Sequence, residues 1–301
     1  MSDEDWQDPS LASTGPASVP VIDLAPFFGD DPEGRATVAD AVRHACETYG
    51  FLVITGHGVP QTSIDAIYSV SEEFFALSLE EKLEVVGPSG NIFEAYCPPG
   101  AARYGRQDAN LVEMYHTSRY DTTVDAVAHG YPPEVASSLP VNVWPEAPAD
   151  FRAVWEHYFG EMELLSQRLL HIFAVALDLP EDWFDDTVDL HLSNLAANCY
   201  PAQLVPPNPG QVRSQAHVDF ATLTILYQDD APGGLQVYER GRGWRDIAFL
   251  PGSYVVNLGD LMARWTNERW VATPHRVVNP PTEHAHTQRI SIPANFGRIA
   301  V

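Results

Sequence analysis

Hydrophobic and polar positions follow different periods in the two halves of the chain. Near the N-terminus, Val38, Val42 and Ala45 recur at helical spacing between two apolar runs, VPVIDLAPFF and FLVITGHGV. This arrangement, bounded by glycine and proline, predicts a strand, a helix and a second strand. Further helices are predicted after Pro60 and over residues 149–177, where apolar residues recur every three or four positions.

Beyond Leu190 the chain consists of short strand-like runs separated by turn residues, among them LSNLAANCY, TLTILYQ, GLQVYE, SYVVNLG and RISIPANF. Many short strands with glycine and proline between them predict a sandwich or a barrel. We expect a flexible tail over residues 1–17 and a region of helices and strands over 18–190. This region should pack on a strand-rich core over 191–301 as one structural unit.

Composition and charge narrow the class of partner. The chain has 301 residues, 45% of them hydrophobic, which is enough for a sizeable buried core. Its 17 basic and 41 acidic residues give a net charge of −24. This charge disfavours nucleic acid and anionic membrane surfaces as partners. A small-molecule substrate and a monomeric protein are the expectation.

The cysteines and the apolar segments indicate a cytoplasmic protein. Cys46, Cys97 and Cys199 are odd in number and widely spaced, so they predict neither a disulfide framework nor a zinc site. The first residues, MSDEDWQDPS, are acidic and polar, unlike a secretory signal. No apolar stretch has the length of a transmembrane helix.

Candidate chemistry lies in the strand-rich part of the chain. His217 and Asp219 are two residues apart, so one strand would direct both side chains to the same face. His275 would add a second imidazole from a distant strand, completing a set that binds one face of an iron ion. The alternative is a surface histidine beside an aspartate that caps a turn. Downstream, Arg289 and Ser291 again share one strand face.

These residues stand in motifs that resemble a known family. The runs NCYP, AHVDFATLTILYQD, VVNLGDLMARWTN, TPHRVVN and RISIP resemble iron(II)- and 2-oxoglutarate-dependent dioxygenases of the isopenicillin N synthase-like branch. The N-terminal runs VPVIDLAPFF and GFLVITGHGVP resemble the companion region of the same branch. The resemblance implies a mainly β fold with flanking helices around a double-stranded β-helix, the cupin-like jelly roll.

The resemblance also implies the chemistry. Fe(II) would be bound by His217, Asp219 and His275, and O2 would be the oxidant. The cosubstrate 2-oxoglutarate would be bound by four further residues: Arg289, Ser291, Tyr200 and Asn198. Its decarboxylation to succinate and CO2 would accompany hydroxylation, desaturation or cyclisation of a small molecule at an unactivated C–H bond, as in natural product biosynthesis.

Two alternatives remain open at this point. An oxidase of the same fold would use Arg289 and Ser291 for a substrate carboxylate and would catalyse oxidative cyclisation without 2-oxoglutarate. A non-catalytic jelly-roll binding protein would use no metal chemistry. The intact set of His217, Asp219 and His275 argues against the second alternative.

The family's substrate entrance corresponds here to residues 87–148, an irregular run rich in glycine, proline and aromatic residues. Long irregular segments within compact domains are usually functional or mobile. Arg103, Tyr104, Glu113 and His116 are the candidate residues for contact with the substrate.

Several neighbouring positions carry weaker expectations. Phe220 should point away from the metal face into the core, and Trp265 and Trp270 are candidate pocket walls. The run from Asn257 to Asp260 fits a strand end, a glycine turn and a capping carboxylate. Because few residues follow Ser291, we expect an open pocket or a cover from elsewhere in the chain.

Overall fold

The computed structural model describes residues 6, 11–13, 15–102, 110–188 and 190–297. Within them, the strands are β1 (Val21–Asp23), β2 (Phe51–Thr55), β3 (Ala95–Cys97), β4 (Glu113–Ser118), β5 (Asn194–Tyr200), β6 (Ser214–His217), β7 (Leu223–Gln228), β8 (Leu235–Glu239), β9 (Gly243–Asp246), β10 (Tyr254–Leu258), β11 (His275–Val277) and β12 (Arg289–Phe296). The helices are α1 (Pro32–Thr48), α2 (Gln61–Ala76), α3 (Leu79–Leu83), α4 (Thr123–Ala128), α5 (Pro133–Ala136), α6 (Phe151–Ala176), α7 (Asp185–Val188) and α8 (Asp260–Trp265). Short 3-10 helices cover Ala25–Phe28 and Thr282–His284.

The strands form two sheets. The large sheet has the order β1-β2-β10-β7-β12-β5-β4-β3, and the small sheet has the order β6-β11-β8-β9. From β5 onwards, the large sheet contains β5, β7, β10 and β12, and the small sheet contains β6, β8, β9 and β11. The two sheets together line one cavity. This is the mainly β, jelly-roll architecture that the sequence predicted, so that prediction is confirmed.

The N-terminal half extends the large sheet at both sides. β2 pairs with β10 at one side, and β4 pairs with β5 at the other. The segment of residues 87–148, predicted to be irregular, thus contains β3 and β4 as well as the short helices α4 and α5. Added strands satisfy the backbone groups that the edges of the jelly roll would otherwise leave unpaired.

Strand alternation separates the core from the cavity. On β12, Ile290 and Ile292 are buried in the main hydrophobic cluster with the helices, including Phe173 of α6. Arg289 and Ser291 point to the opposite face and line the cavity. The long helix α6 packs against α1, α2 and the outer face of this sheet. The hydrophobic core therefore fixes the face on which the polar residues lie.

The small sheet also gains a partner at its edge. The amide of Ala17 donates to the carbonyl of Asp246 at 2.8 Å, and the amide of Asp246 donates to the carbonyl of Gly15 at 3.0 Å. The sequence predicted a flexible tail through residue 17, whereas residues 15–17 lie along the edge strand β9. The physical reason is the row of unpaired backbone groups that an edge strand presents.

Glu113, a candidate substrate residue in the sequence, belongs to a buried ion pair instead. It precedes the cavity-facing Met114 on β4, so its side chain points to the other face of the sheet. Its Oε2 lies 2.7 Å from Nζ of Lys82 and accepts a hydrogen bond of 2.6 Å from the hydroxyl of Tyr96. Lys82 also donates to the carbonyl of Phe75 at 2.9 Å. These contacts connect α3 with β3 and β4.

We predict that Lys82→Met lowers the free energy of unfolding by roughly 3–5 kcal/mol, because it leaves the carboxylate of Glu113 buried without its counter-charge. The double variant Lys82→Met/Glu113→Leu removes both charges and should recover most of this loss. Urea unfolding followed by circular dichroism measures both values. Equal stability of the single variant and the wild type would contradict the prediction.

Candidate metal centre

Three potential ligands converge where the small sheet meets the large one. His217 on β6 lies directly opposite His275 on β11, and their ring centroids are 4.3 Å apart. Nε2 of His217 and Nε2 of His275 each lie 3.6 Å from Oδ1 of Asp219. All three candidate ligand atoms lie within 4.8 Å of one another, a spacing at which one metal ion can contact all of them.

Hydrogen bonds to the backbone orient the two imidazole rings. Nδ1 of His217 lies 2.8 Å from the carbonyl oxygen of Gln215, and Nδ1 of His275 lies 3.3 Å from that of Thr273. Each Nδ1 therefore carries the proton, and each Nε2 directs its lone pair to the shared centre. Burial, together with the neighbouring His217, lowers the pKa of His275 to about 4, so this ring is neutral near pH 7.

Asp219 is held by side chains of the large sheet. β6 ends at His217, so Asp219 lies just beyond the strand. Its Oδ2 accepts hydrogen bonds from Oγ1 of Thr224 at 2.7 Å and Nδ2 of Asn257 at 2.8 Å, while Oδ1 faces the imidazoles. Burial raises the pKa of Asp219, but the two histidines and these hydrogen bonds together lower it by more. The net pKa is therefore below the usual value, and the carboxyl is ionised.

Asn257 is a functional residue that the sequence analysis assigned only to a strand end. The signal in the sequence was the run from Asn257 to Asp260 that contains it. In the structure, Asn257 on β10 lies opposite Thr224 on β7. The N-cap of α8 is Gly259, not the predicted carboxylate of Asp260, which pairs with Arg264 at 2.6 Å. A Cβ on Gly259 would lie 2.0 Å from the carbonyl oxygen of Ala221, so only glycine fits there.

A second polar group lies across two neighbouring strands of the large sheet. Arg289 on β12 pairs with Tyr200 on β5, and Ser291 pairs with Asn198. All four residues line the cavity, and Cζ of Arg289 lies 5.2 Å from the ring centroid of Tyr200. The structure therefore brings together the residues that the sequence proposed for 2-oxoglutarate.

Arg289 is buried with incomplete hydrogen bonding. Its side chain is 1% exposed. Nη2 donates to Oε1 of Gln228 at 3.2 Å, and Nε lies 3.9 Å from Oδ1 of Asp229. In the described part of the chain, Nη1 has no hydrogen-bond partner. A buried charged donor without a partner is costly, and a carboxylate from a bound molecule would satisfy it. The site thus fits a dicarboxylate such as 2-oxoglutarate.

Arg213 is a second buried arginine, and sequence reasoning missed it. Its Nη1 donates to the carbonyls of Pro232 and Gly233, both at 2.6 Å, and its Cζ lies 5.8 Å from the ring centroid of Tyr200. Burial, with the charge of Arg289, lowers the pKa of Arg213 to about 10. Tyr200 therefore lies near two guanidinium groups. The available signal was a lone charge in the run QVRSQAHV.

The cavity has a volume of about 1150 Å³ and extends from the candidate metal centre to β4. His116 lines it and is 4% exposed, and no described residue forms a hydrogen bond with either of its ring nitrogens. Tyr120, Tyr131 and Leu139 line it as well. The other two substrate-contact candidates, Arg103 and Tyr104, lie outside the described residues.

Three aromatic positions differ from expectation. Phe220 is 89% exposed and lines the cavity, because strand alternation does not continue beyond the end of β6. Trp270 is fully buried against Phe173 in the core, with ring centroids 5.2 Å apart. Trp265 stacks on Phe184, and neither tryptophan is among the described residues that line the cavity.

Comparison with known proteins assigns the family. A family model described as the N-terminal region of the non-haem dioxygenase in morphine synthesis matches residues 19–147. The model of the 2OG-Fe(II) oxygenase superfamily matches residues 192–297. The chain belongs to the 2OG-Fe(II) oxygenase superfamily.

Individual relatives agree over most of their length. This 2OG-Fe(II) oxygenase is 34% identical to the 2-oxoglutarate-Fe(II) type oxidoreductase ppzC of Metarhizium majus, over 94% of this chain and 78% of that protein. It is 28% identical to the Validamycin A dioxygenase of Streptomyces hygroscopicus subsp. limoneus, over 91% of this chain and 75% of that protein. A full-length Neurospora crassa protein, solved in complex with alpha-KG and thymine, superposes with a TM-score of 0.80, at 27% identity, over 93% of this chain and 86% of that one.

The protein is thus an iron(II)- and 2-oxoglutarate-dependent dioxygenase that oxidises a small molecule, and its cofactors are Fe(II), 2-oxoglutarate and O2. This assignment decides between the alternatives left open by the sequence in favour of a 2-oxoglutarate-dependent enzyme. Among the described residues, no helix combines the length and the apolar character needed to span a membrane.

We predict a pH-dependent contribution of His116 to stability. Burial lowers the pKa of His116 to about 4, whereas in the unfolded chain the ring takes up a proton near pH 6.5. The unfolded state therefore binds more protons between these values, so stability falls as pH falls. From pH 7 to pH 4 the wild type should lose roughly 2–3 kcal/mol more than His116→Phe in urea unfolding.

The exposed His44 supplies the matched control for this measurement. The variant His44→Phe should keep the wild-type dependence of stability on pH. Parallel curves for His116→Phe and the wild type would contradict the prediction.

Proposed function

We propose that His217, Asp219 and His275 bind the catalytic Fe(II), and that Arg289, Ser291, Tyr200 and Asn198 bind 2-oxoglutarate. The observation that carries this proposal is the convergence of two Nε2 atoms and one carboxylate oxygen within 4.8 Å. Each of these ligand residues has its other polar atom engaged elsewhere. Such preorganisation is typical of metal sites.

The donor set suits iron chemistry. Two imidazoles and one carboxylate occupy one side of the ion and leave further positions open for small ligands. When bound, iron and 2-oxoglutarate supply the oxidising chemistry: O2, 2-oxoglutarate and a C–H substrate yield succinate, CO2 and, for hydroxylation, an alcohol. The protein's own contribution is to orient these reactants and to limit their contact with water.

The 2-oxoglutarate site rests on charge and shape. Nη1 of Arg289 has no hydrogen-bond partner among the described residues, and a guanidinium group donates two parallel hydrogen bonds to a carboxylate. The hydroxyl of Ser291 lies two positions along the same strand face, opposite Asn198. Asp229 accepts from the amide of Ile290 at 2.7 Å and from the hydroxyl of Tyr68 at 3.1 Å, which holds the strand that carries Arg289.

The proposal extends to finer assignments. We place the enzyme in the isopenicillin N synthase-like branch, with a substrate from natural product metabolism and with hydroxylation, desaturation or cyclisation as its reaction. We also propose that it is a cytoplasmic monomer that binds neither nucleic acid nor membranes. Its net charge of −24 and the three free, buried cysteines support this proposal.

Iron binding tests the metal site. Asp219→Ala should abolish stoichiometric Fe(II) binding, measured by equilibrium dialysis, and succinate formation should stop. Asn257→Leu removes one hydrogen bond that orients the carboxylate and should weaken Fe(II) affinity by about 10-fold. Asp40→Asn, which alters an exposed carboxylate on α1, is the matched control and should bind iron normally. Full iron binding by Asp219→Ala would refute the assignment.

Arg289→Lys tests the cosubstrate site. Lysine keeps the charge but loses the planar pair of donors, so the KM for 2-oxoglutarate should rise by at least about 10-fold. Succinate release at varied 2-oxoglutarate concentrations measures this change. The exposed Arg240 gives the control variant, Arg240→Lys. An unchanged KM, or substrate-dependent oxygen consumption without 2-oxoglutarate, would contradict the assignment of Arg289.

A further inference from the structure

The proposed iron and 2-oxoglutarate sites occupy only part of the inner face of the large sheet. The iron site lies beside β7 and β10, through Thr224 and Asn257, and Arg289 and Tyr200 belong to β12 and β5. β4 continues the sheet beyond β5, at a spacing of about 5 Å. Its inner face lines a part of the cavity that neither site uses.

Two pairs of opposite residues on β4 and β5 line this part of the cavity, which we call the β4 chamber: His116 with Ala196, and Ser118 with Asn194. The methyl side chain of Ala196 leaves room beside the imidazole of His116. A molecule that lies on β5 there would be next to the 2-oxoglutarate residues on the same strand.

His116 stands out among the chamber residues. It is 4% exposed, and neither ring nitrogen has a hydrogen-bond partner among the described residues, although buried polar atoms are almost always paired. Among the described residues, its ring contacts that of Phe93 at 5.6 Å between centroids, which leaves the nitrogens unsatisfied. A neutral imidazole offers one donor and one acceptor. A hydroxyl or an amide can use both nitrogens, because each of these groups donates and accepts hydrogen bonds. A carboxylate only accepts hydrogen bonds, and an ammonium group only donates them.

Among the described residues, the charged groups that line the cavity beside the chamber are already paired. Nε of Arg119 lies 2.9 Å from Oε1 of Glu163, and Nε2 of His191 lies 3.1 Å from the same oxygen. Farther along the described lining, Asp260 pairs with Arg264 and Glu268 is exposed to solvent. A charged substrate group placed in the chamber would lose its hydration without gaining a counter-charge from these residues.

We propose that the β4 chamber binds an uncharged, hydrogen-bonding part of the substrate, a hydroxyl or amide group, and that His116 determines this specificity. The inference rests on the proposed function, since it takes the remaining cavity as the substrate site. Donation from one ring nitrogen and acceptance by the other hold the substrate beside 2-oxoglutarate. The substrate class is therefore a neutral polar small molecule.

Paired probe compounds test the substrate class. Each pair shares a ring and differs in charge, for example nicotinamide with nicotinate, and thymine with orotate. Calorimetry on protein loaded with Zn(II) and 2-oxoglutarate gives the Kd of each compound without turnover. The uncharged member of a pair should bind at least about tenfold more tightly than its carboxylate counterpart.

Variants of His116 then test the residue. His116→Phe keeps an aromatic ring without hydrogen-bonding groups and should weaken binding of the uncharged probe by about tenfold or more. His116→Gln restores a donor and an acceptor and should remain within about threefold of the wild type. His44→Phe, on the exposed face of α1, is the control and should bind as the wild type does. With histidines labelled by 15N, the His116 resonances should shift when the uncharged probe binds.

Three results would overturn the proposal. The first is tighter binding of the carboxylate probes. The second is an unchanged Kd in His116→Phe, and the third is His116 resonances that stay fixed on binding, which would assign its partner as an ordered water only. Failure of the proposed function is measured separately, since the wild type would then fail to bind Fe(II) or 2-oxoglutarate before any probe is added.

Discussion

The buried carboxylate of Asp219 between two imidazoles is the constraint on which the site depends. A carboxylate in this position requires compensation, which comes from both sheets: His217 and His275 from the small one, and hydrogen bonds from Thr224 and Asn257 of the large one. Because Oδ2 is fixed by the large sheet, Oδ1 is directed to the histidines. The carboxylate thereby couples the positions of the two sheets, and the three candidate ligands of the metal converge only when both sheets are in register.

The neighbouring site around Arg289 requires a ligand of the opposite charge, an anion. Arg289 and Arg213 are both buried near Tyr200, and Asp229 already accepts hydrogen bonds from several donors. The local excess of positive charge and the unpartnered Nη1 of Arg289 favour a bound carboxylate. Two adjacent regions of one cavity thus prefer ligands of opposite charge, a cation at Asp219 and an anion at Arg289. This arrangement fits an iron ion and a dicarboxylate held side by side.

The N-terminal half of the chain completes the cavity. It adds β4 beside β5, which widens the face of the large sheet that lines the cavity, and it contributes His116 to this lining. The buried pair of Lys82 and Glu113 holds this added strand from its outer face. The proposed substrate contact of His116 and the buried ion pair of Glu113 therefore belong to alternating faces of a single strand, β4.

The sequence by itself determined the strand-rich architecture and the candidate residues His217, Asp219, His275, Arg289 and Ser291. Spacing suffices for Arg289 and Ser291, because alternation along β12 places them on one face and the apolar core residues on the other. The prediction that one strand carries both His217 and Asp219 was wrong, since β6 ends at His217. Only the tertiary structure decided which distant residues meet these groups: Asn257 and Thr224 at Asp219, Arg213 at Tyr200, and Lys82 at Glu113. The sequence around a residue does not determine which residue of another strand lies opposite it. The end of β6 at His217, which exposes Phe220, is likewise set by contacts between sheets and not by the period of the chain.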